Sequence, residues 1–272
     1  MKARKLRTAL ALLIAFAAPS AYAQSGKVEV LWLGQSAFKI TTPSGKAIVI
    51  DPWLIQNRLT PPKYKNLEAL GKVDLLLVTH GHGDHIGDAP ALARLNNIPM
   101  YAPGDLNMAL TTLGVLPPRQ LPRFNKSGRI TPVPGIKVTA THADHSSVYV
   151  WHNAATGKDE THPGGEPVGY IIELENGFRI WHMGDTGVFG DMKLISEYYK
   201  PDLVLIPIGG HFTMDPVDAA YALRELIKPK FAIPMHYGAN PLGKGTPQEL
   251  IQALGDTTIK VLPLNPGDQA EF

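Results

Sequence analysis

Four groups able to ligate a metal fall within six residues of the chain: His80, His82, Asp84 and His85, in the stretch THGHGDH. Imidazole and carboxylate donors together suit zinc or a neighbouring first-row metal. The four are too closely spaced for one tetrahedral ion to take them all, so the spacing predicts two adjacent ions. Gly81 and Gly83 alternate with the ligands, letting the backbone turn tightly and keeping bulk away from an ion. An apolar run over 73–78 leads into the stretch and reads as a buried strand.

Further donors recur at the ends of other apolar runs. A strand predicted over 136–141 runs into His142-Ala143-Asp144-His145-Ser146-Ser147, one over 178–183 ends at Gly184-Asp185-Thr186-Gly187, and one over 231–235 ends at His236. Ligands carried on several strand ends can converge on one edge of a fold, where rigid sheets hold them in place. The Asp185 carboxylate can bridge two ions, with neutral imidazoles on each side and a water or hydroxide between. Asp51 closes a strand over 47–50. It either orients a ligand histidine or makes an ordinary turn before Pro52.

The elements that must position these residues are short strands with helices between them. Strands are also expected over 27–33, 37–41, 99–102, 168–174, 203–206 and 259–262, with a hairpin at Asn176-Gly177. Helices are expected over 87–95, 105–113, 216–227 and 246–254. Asp215 caps the third, and Pro216 and Pro247 occupy first helical positions. The segment 54–71 reads as irregular and 148–167 as a long polar insertion, and either could close over a ligand. Strands with alternating helices in both halves give an α/β protein with more than one sheet. Pattern alone does not give the layers.

The order of these motifs resembles the metallo-β-lactamase superfamily, whose signature is an H-x-H-x-D-H loop followed by a downstream His, Asp and His. His80-x-His82-x-Asp84-His85, His145-Ser146-Ser147, Gly184-Asp185-Thr186-Gly187 and Pro234-Met235-His236-Tyr237 carry the resemblance over nearly the whole chain after the leader. Leu33-Gly34, Asp51-Pro52, Phe189-Gly190-Asp191-Met192 and Ile208-Gly209-Gly210-His211-Phe212 look closest to the branch of ascorbate-6-phosphate lactonase-like and bacterial metal-dependent hydrolases. The resemblance implies a four-layer αβ/βα sandwich with the metals at one edge. It implies His80, His82 and His145 on one ion, Asp84, His85 and His236 on the other, and Asp185 between them. His142 competes with His145, and the Ser-Ser pair after His145 favours the latter. The ions would be two divalent metals, zinc first, with manganese or iron feasible.

The chemistry so implied is attack of a metal-bound hydroxide on an ester, lactone, amide or phosphodiester bond. Asp84 would orient the hydroxide or take its proton. His211 would contact the substrate or protonate a leaving group, or else be a loop histidine satisfied by backbone. Tyr237 would donate to a developing oxyanion, or else pack beneath the site. His182 reads as structural, His152 and His162 as surface residues, and Asp191 and Lys193 as candidates for the pocket rim. The H-x-H start departs from the H-x-E-x-D loop of related diiron flavoproteins, which argues against redox chemistry.

Residues 1–23 read as a secretory leader. Lys2, Arg4, Lys5 and Arg7 precede an apolar stretch over 9–18 and an Ala21-Tyr22-Ala23 cleavage pattern. The expectation is one domain over 24–272, periplasmic or secreted, with no stable membrane insertion after cleavage. Loss of those four basic residues takes the formal net charge from +2 to −2, leaving no basic surplus for nucleic acid. The chain has no cysteine, so disulfides, thiolate ligands and a thiol nucleophile are excluded. The expected partner is a small-molecule substrate, and a homo-oligomer stays open. Two rivals are a non-enzymatic periplasmic metal-binding protein on the same scaffold and a β-lactam-hydrolysing enzyme. The complete ligand set argues against the first, and the branch resemblance argues against the second.

Overall fold

The computed structural model describes residues 26–272, and the leader read over 1–23 lies outside them. β1 (Glu29–Gly34), β2 (Ala37–Thr41) and β3 (Ala47–Ile50) form an antiparallel meander. β4 (Leu75–Leu77), β5 (Met100–Pro103) and β6 (Arg123–Phe124) add to it in parallel. The second sheet takes β7 (Arg129–Val133) and β8 (Ile136–His142). The chain then leaves it for a free-standing hairpin, β9 (Val148–Asn153) and β10 (Lys158–Pro163). It returns through β11 (Val168–Glu173), β12 (Arg179–His182), β13 (Leu203–Pro207), β14 (Phe231–Met235) and β15 (Lys260–Val261). The last strand, β16 (Gln269–Glu271), crosses back to cover the edge of β1, so each large sheet has seven strands.

Residue alternation along the strands decides what each sheet faces. Leu75 and Leu77 of β4 enter the core between the two sheets, while Leu76 and the following Val78 enter the core beneath the helices of the first half. β13 divides in the same way, with Leu203 and Leu205 between the sheets and Val204 and Ile206 under the helices of the second half. A strand apolar on both faces needs cover on both sides. The short α1 (Gly83–Ile86) with α2 (Ala89–Asn96) and α3 (Gly104–Thr112) belongs to the first half. α4 (Met192–Tyr199), α5 (Pro216–Tyr221, continued by a π-helical turn to Ile227) and α6 (Pro247–Leu254) cover the second. The result is helix, sheet, sheet, helix, the four-layer αβ/βα arrangement that the resemblance implies.

The expected capping residues are in place. The Asp215 carboxylate accepts from the backbone N–H of Val217 and Asp218, and Thr246 and Glu249 cap α6 reciprocally. The region expected as a polar insertion over 148–167 is instead mostly hairpin, with Tyr149 and Trp151 half-buried on one face and Val148 and Val150 exposed on the other. Segment 54–71 contains two 3₁₀ turns and anchors itself through buried Leu54 and Leu70. α4 and β16 were not anticipated.

Candidate metal centre

β4, β8, β12 and β14 each release their chemistry-bearing residues at the same edge of the sandwich. β4 hands over to Thr79, which is fixed before the first histidine. Its backbone N–H donates to Asp51 Oδ1 at 2.7 Å and its hydroxyl to Asp51 Oδ2 at 2.6 Å. Asp51 Oδ2 also meets His85 Nδ1 at 2.8 Å, all of it buried. That contact places the proton on Nδ1 and leaves Nε2 free to ligate. Of the two readings of Asp51, the structure shows the orienting one.

Three clusters of donors arise, each with its atoms within 4.8 Å: His80, His82 and His145; Asp84, His85 and His236; and His80, His85 and Asp185. Asp185 thus lies between the first two. Its Oδ2 lies 2.9 Å from His236 Nε2, 3.2 Å from His85 Nε2 and 3.6 Å from His145 Nε2. His80 Nε2 and His82 Nδ1 face each other at 2.9 Å. All seven residues assigned as ligands meet here. His142 does not join them: it is exposed, with its ring against Phe189.

Some atoms of this donor set have no hydrogen-bond partner. His85 Nε2, His236 Nε2 and Asp185 Oδ1 are buried with no hydrogen-bond partner, in a core where such atoms are normally satisfied. They converge from both halves of the fold, as ligands of a positive ion would. The residues fit a bound metal. Protons stand in for part of that charge in the metal-free protein. Burial pushes His236 down, but the neighbouring Asp185 and Asp84 carboxylates lift it to about 9. His85 is likewise depressed by burial, yet Asp185, Asp84 and Asp51 raise it well above the usual histidine range. Burial holds His80, His82 and His145 below that range. Burial alone would raise Asp185 and Asp84, but the facing histidines keep both well below the usual carboxylate range.

The backbone around the centre is strained. Among the described residues eight non-glycines have positive φ, and Gln35 (53°), Asp51 (47°), His211 (58°) and His236 (57°) belong to this edge. Such conformations cost on the order of 1–3 kcal/mol each and persist only where neighbours enforce them. The His236 N–H donates to the Gln35 carbonyl at 3.0 Å, which also accepts from Trp32 Nε1.

Comparison with known proteins adds a name to this geometry. A family model described as the beta-lactamase superfamily domain matches residues 46–237. The chain belongs to that superfamily. A UPF0173 metal-dependent hydrolase of a Polaromonas species is 70% identical over 98% of each chain. One from Polynucleobacter asymbioticus is 62% identical over 94% of this chain and 90% of its own. Among solved structures, Igni18, described as a metallo hydrolase of the archaeon Ignicoccus hospitalis, superposes with a TM-score of 0.77 at 33% identity, covering 90% and 98% of the two chains. The chain is a member of these metal-dependent hydrolases.

A cavity of about 570 Å³ opens over the superfamily centre, reaching His82, Asp84, His145, Asp185 and His236. Tyr237 is not on it. Its hydroxyl points to the Leu264 carbonyl at 3.4 Å, its ring lies on Trp32, and burial lifts the phenol to about 12. The expected oxyanion donor is therefore corrected to a packing residue. His211 is exposed with its ring against Phe212, and it is Phe212 that lines the cavity. His182 is buried, its Nε2 donating to the Ser36 carbonyl at 2.9 Å. His152 is exposed beside Asp159, and His162 is half-buried against Trp151. Asp191 and Lys193 line depressions elsewhere.

The sequence reading did not assign Gln35, Trp53, Phe212, Ala239, Asn240 or Pro241 to the cavity. Gln35 Nε2 donates to Asp84 Oδ2 at 2.9 Å. A signal was available, because Gln35, Trp53 and Phe212 each lie within two residues of a motif position, on a loop leaving a strand end.

Proposed function

We propose that this protein is a dinuclear metal-dependent hydrolase, exported to the periplasm or secreted, acting on an ester, lactone, amide or phosphodiester bond of a small molecule. The observation that carries it is the convergence of three buried metal-ligand atoms without a hydrogen bond, His236 Nε2 and Asp185 Oδ1 on residues that line an open cavity and His85 Nε2 buried beside them. His80, His82 and His145 would hold one ion, Asp84, His85 and His236 the other, and Asp185 would bridge. Histidine-rich ligation favours zinc, with manganese or iron fitting the carboxylates. When bound, two such ions would make water nucleophilic at neutral pH and hold negative charge on the oxygen that develops it.

The chain's own residues orient this chemistry. Asp84 is held in place by Gln35 Nε2 and lies 3.4 Å from His236 Nε2. Because its pKa is strongly depressed, it stays ionised and serves as a ligand and orienting acceptor better than as a proton store. Asp51 holds His85 with Nε2 toward the centre. In the reaction, a water oxygen bonds to the acyl or phosphoryl atom, the bond to the leaving group breaks, and the proton passes to the departing heteroatom.

The test is elemental analysis of the protein purified without added metal, together with the Asp185→Asn variant. Close to two ions per chain and a loss of turnover of roughly 10²-fold or more in the variant are expected. One ion or none, unrestored by zinc or manganese, or a variant of unchanged activity, rules out the dinuclear reading.

A further inference from the structure

Among the described residues, no arginine or lysine lines the cavity. Above the ligands its walls are made by Trp53, Phe212, Ala239 and Pro241, with Ser146, Gln35 and Asn240 as neutral polar groups. Trp53 comes from the loop after β3 and Phe212 from the loop after β13, so each half of the sandwich contributes one aromatic ring. Phe212 is 47% exposed, an apolar ring left open to water at the mouth. Arg58 reaches the same region, but its guanidinium donates to the backbone carbonyls of Gly238 and Ala239 and does not line the cavity.

Charge then selects the substrate. An anionic substituent seated against the walls would be desolvated by the aromatic rings, with no arginine or lysine among the lining residues to receive it. The positive charge that metals would add lies at the floor, where the reacting bond itself must sit. A flat, apolar, uncharged substituent would instead cover Phe212 and Trp53, and the neutral amides and hydroxyl suit a carbonyl or ether oxygen.

Resting on the hydrolase reading above, we infer that the substrate is an uncharged carboxylic ester or lactone carrying an aromatic or similarly flat apolar group, seated between Trp53 and Phe212. A β-lactam with its carboxylate, or a lactone bearing a phosphate, would lack a partner on these walls.

The test compares the metal-loaded protein on phenyl acetate, on the monophenyl ester of succinic acid and on a bis-aryl phosphate, with Phe212→Ala and Trp53→Phe as variants. Benzamide serves as a neutral binding probe, followed by tryptophan fluorescence. The expected result is a kcat/KM for phenyl acetate at least tenfold above the succinate monoester and the phosphate. Phe212→Ala should raise KM roughly tenfold with kcat retained. Equal or better turnover of either anionic substrate overturns the inference while leaving the hydrolase standing. Absence of turnover on all three, with benzamide bound and its affinity lost in Phe212→Ala, sinks the hydrolase reading and keeps the pocket chemistry. Failure to bind benzamide, or benzamide affinity unchanged in Phe212→Ala, overturns the inference.

Discussion

One carboxylate, Asp51, does more to hold the centre than any residue outside the ligands. It accepts from the Thr79 N–H, the Thr79 hydroxyl and His85 Nδ1 while fully buried. Replacing it by Asn removes the charge that fixes the His85 tautomer, so metal affinity in Asp51→Asn should fall roughly 10- to 100-fold. A competition titration against a chromophoric chelator reads this directly, and an unchanged affinity would show that His85 is oriented by something else. The same residues set a pH dependence. His236 rises from its ordinary 6.5 to about 9 in the metal-free fold, and His85 moves in the same direction. The stabilisation from the His236 proton is complete below 6.5 and is lost as pH climbs through about 9, and the His85 proton contributes with the same sign. The acids with depressed values titrate far below this window, and His80, His82 and His145 are already neutral in it. Metal must displace those protons. Between pH 6.5 and 9 the metal-free protein should therefore lose thermal stability while its affinity for zinc increases. Parallel trends in the two quantities would contradict the assignment.

The metal loop packs closely against the base of the β9–β10 hairpin. The Gly81 N–H donates to Ser147 Oγ at 3.0 Å, and Ser147 Oγ donates to the Gly164 carbonyl at 2.8 Å. A Cβ at Gly81 would lie 2.8 Å from Gly164 Cα and 2.9 Å from the Val148 oxygen, both backbone atoms that cannot turn aside. At Gly83 a Cβ would meet nothing within 4 Å. Gly81→Ala should cost about 1–3 kcal/mol in urea unfolding and lower metal occupancy, with Gly83→Ala as the near-neutral comparison. Equal stability of the two variants would remove the hairpin from any role in seating the loop. Element prediction succeeded where local signals agreed with tertiary need. Asp215-Pro216 starts its helix because carboxylate capping and a missing N–H both suit a helix N-terminus, and Asn176-Gly177 turns its hairpin for equally local reasons. The ligands could be read because each follows an apolar strand that must be buried wherever it goes. The β9–β10 hairpin was hidden because Lys158, Asp159, Glu160 and Thr161 lack the apolar alternation of a half-buried strand. β16 has three residues, of sequence QAE, and exists only because β1 offers it an unpaired edge. Tyr237 could be read two ways for a related reason: adjacency to His236 says nothing about which way a side chain faces at a strand end.

At the scale of the molecule, the centre joins two halves that also meet through the apolar core between the sheets and through the β1–β16 pairing. His80, His82, Asp84 and His85 leave the first sheet, whereas His145, Asp185 and His236 leave the second. Without cations this edge concentrates strained backbone, two depressed carboxylates and unpartnered imidazole nitrogens. Ions bound there favour the native state by mass action, because the unfolded chain scatters the ligands over more than 150 residues of sequence. For one site held at a thousandfold excess over its Kd the gain is about 4 kcal/mol. In a chain of this size that corresponds to roughly 8–16 °C in Tm. Dipicolinate added to the metal-loaded protein should produce a shift of this order, reversed by excess zinc. Asp185→Asn, which loses the carboxylate shared by both clusters, should show a lower starting Tm in metal and a much smaller response to the chelator. If the variant responds as fully as the wild type, the ions do not depend on Asp185, and the link between the two sheets runs through the histidines alone.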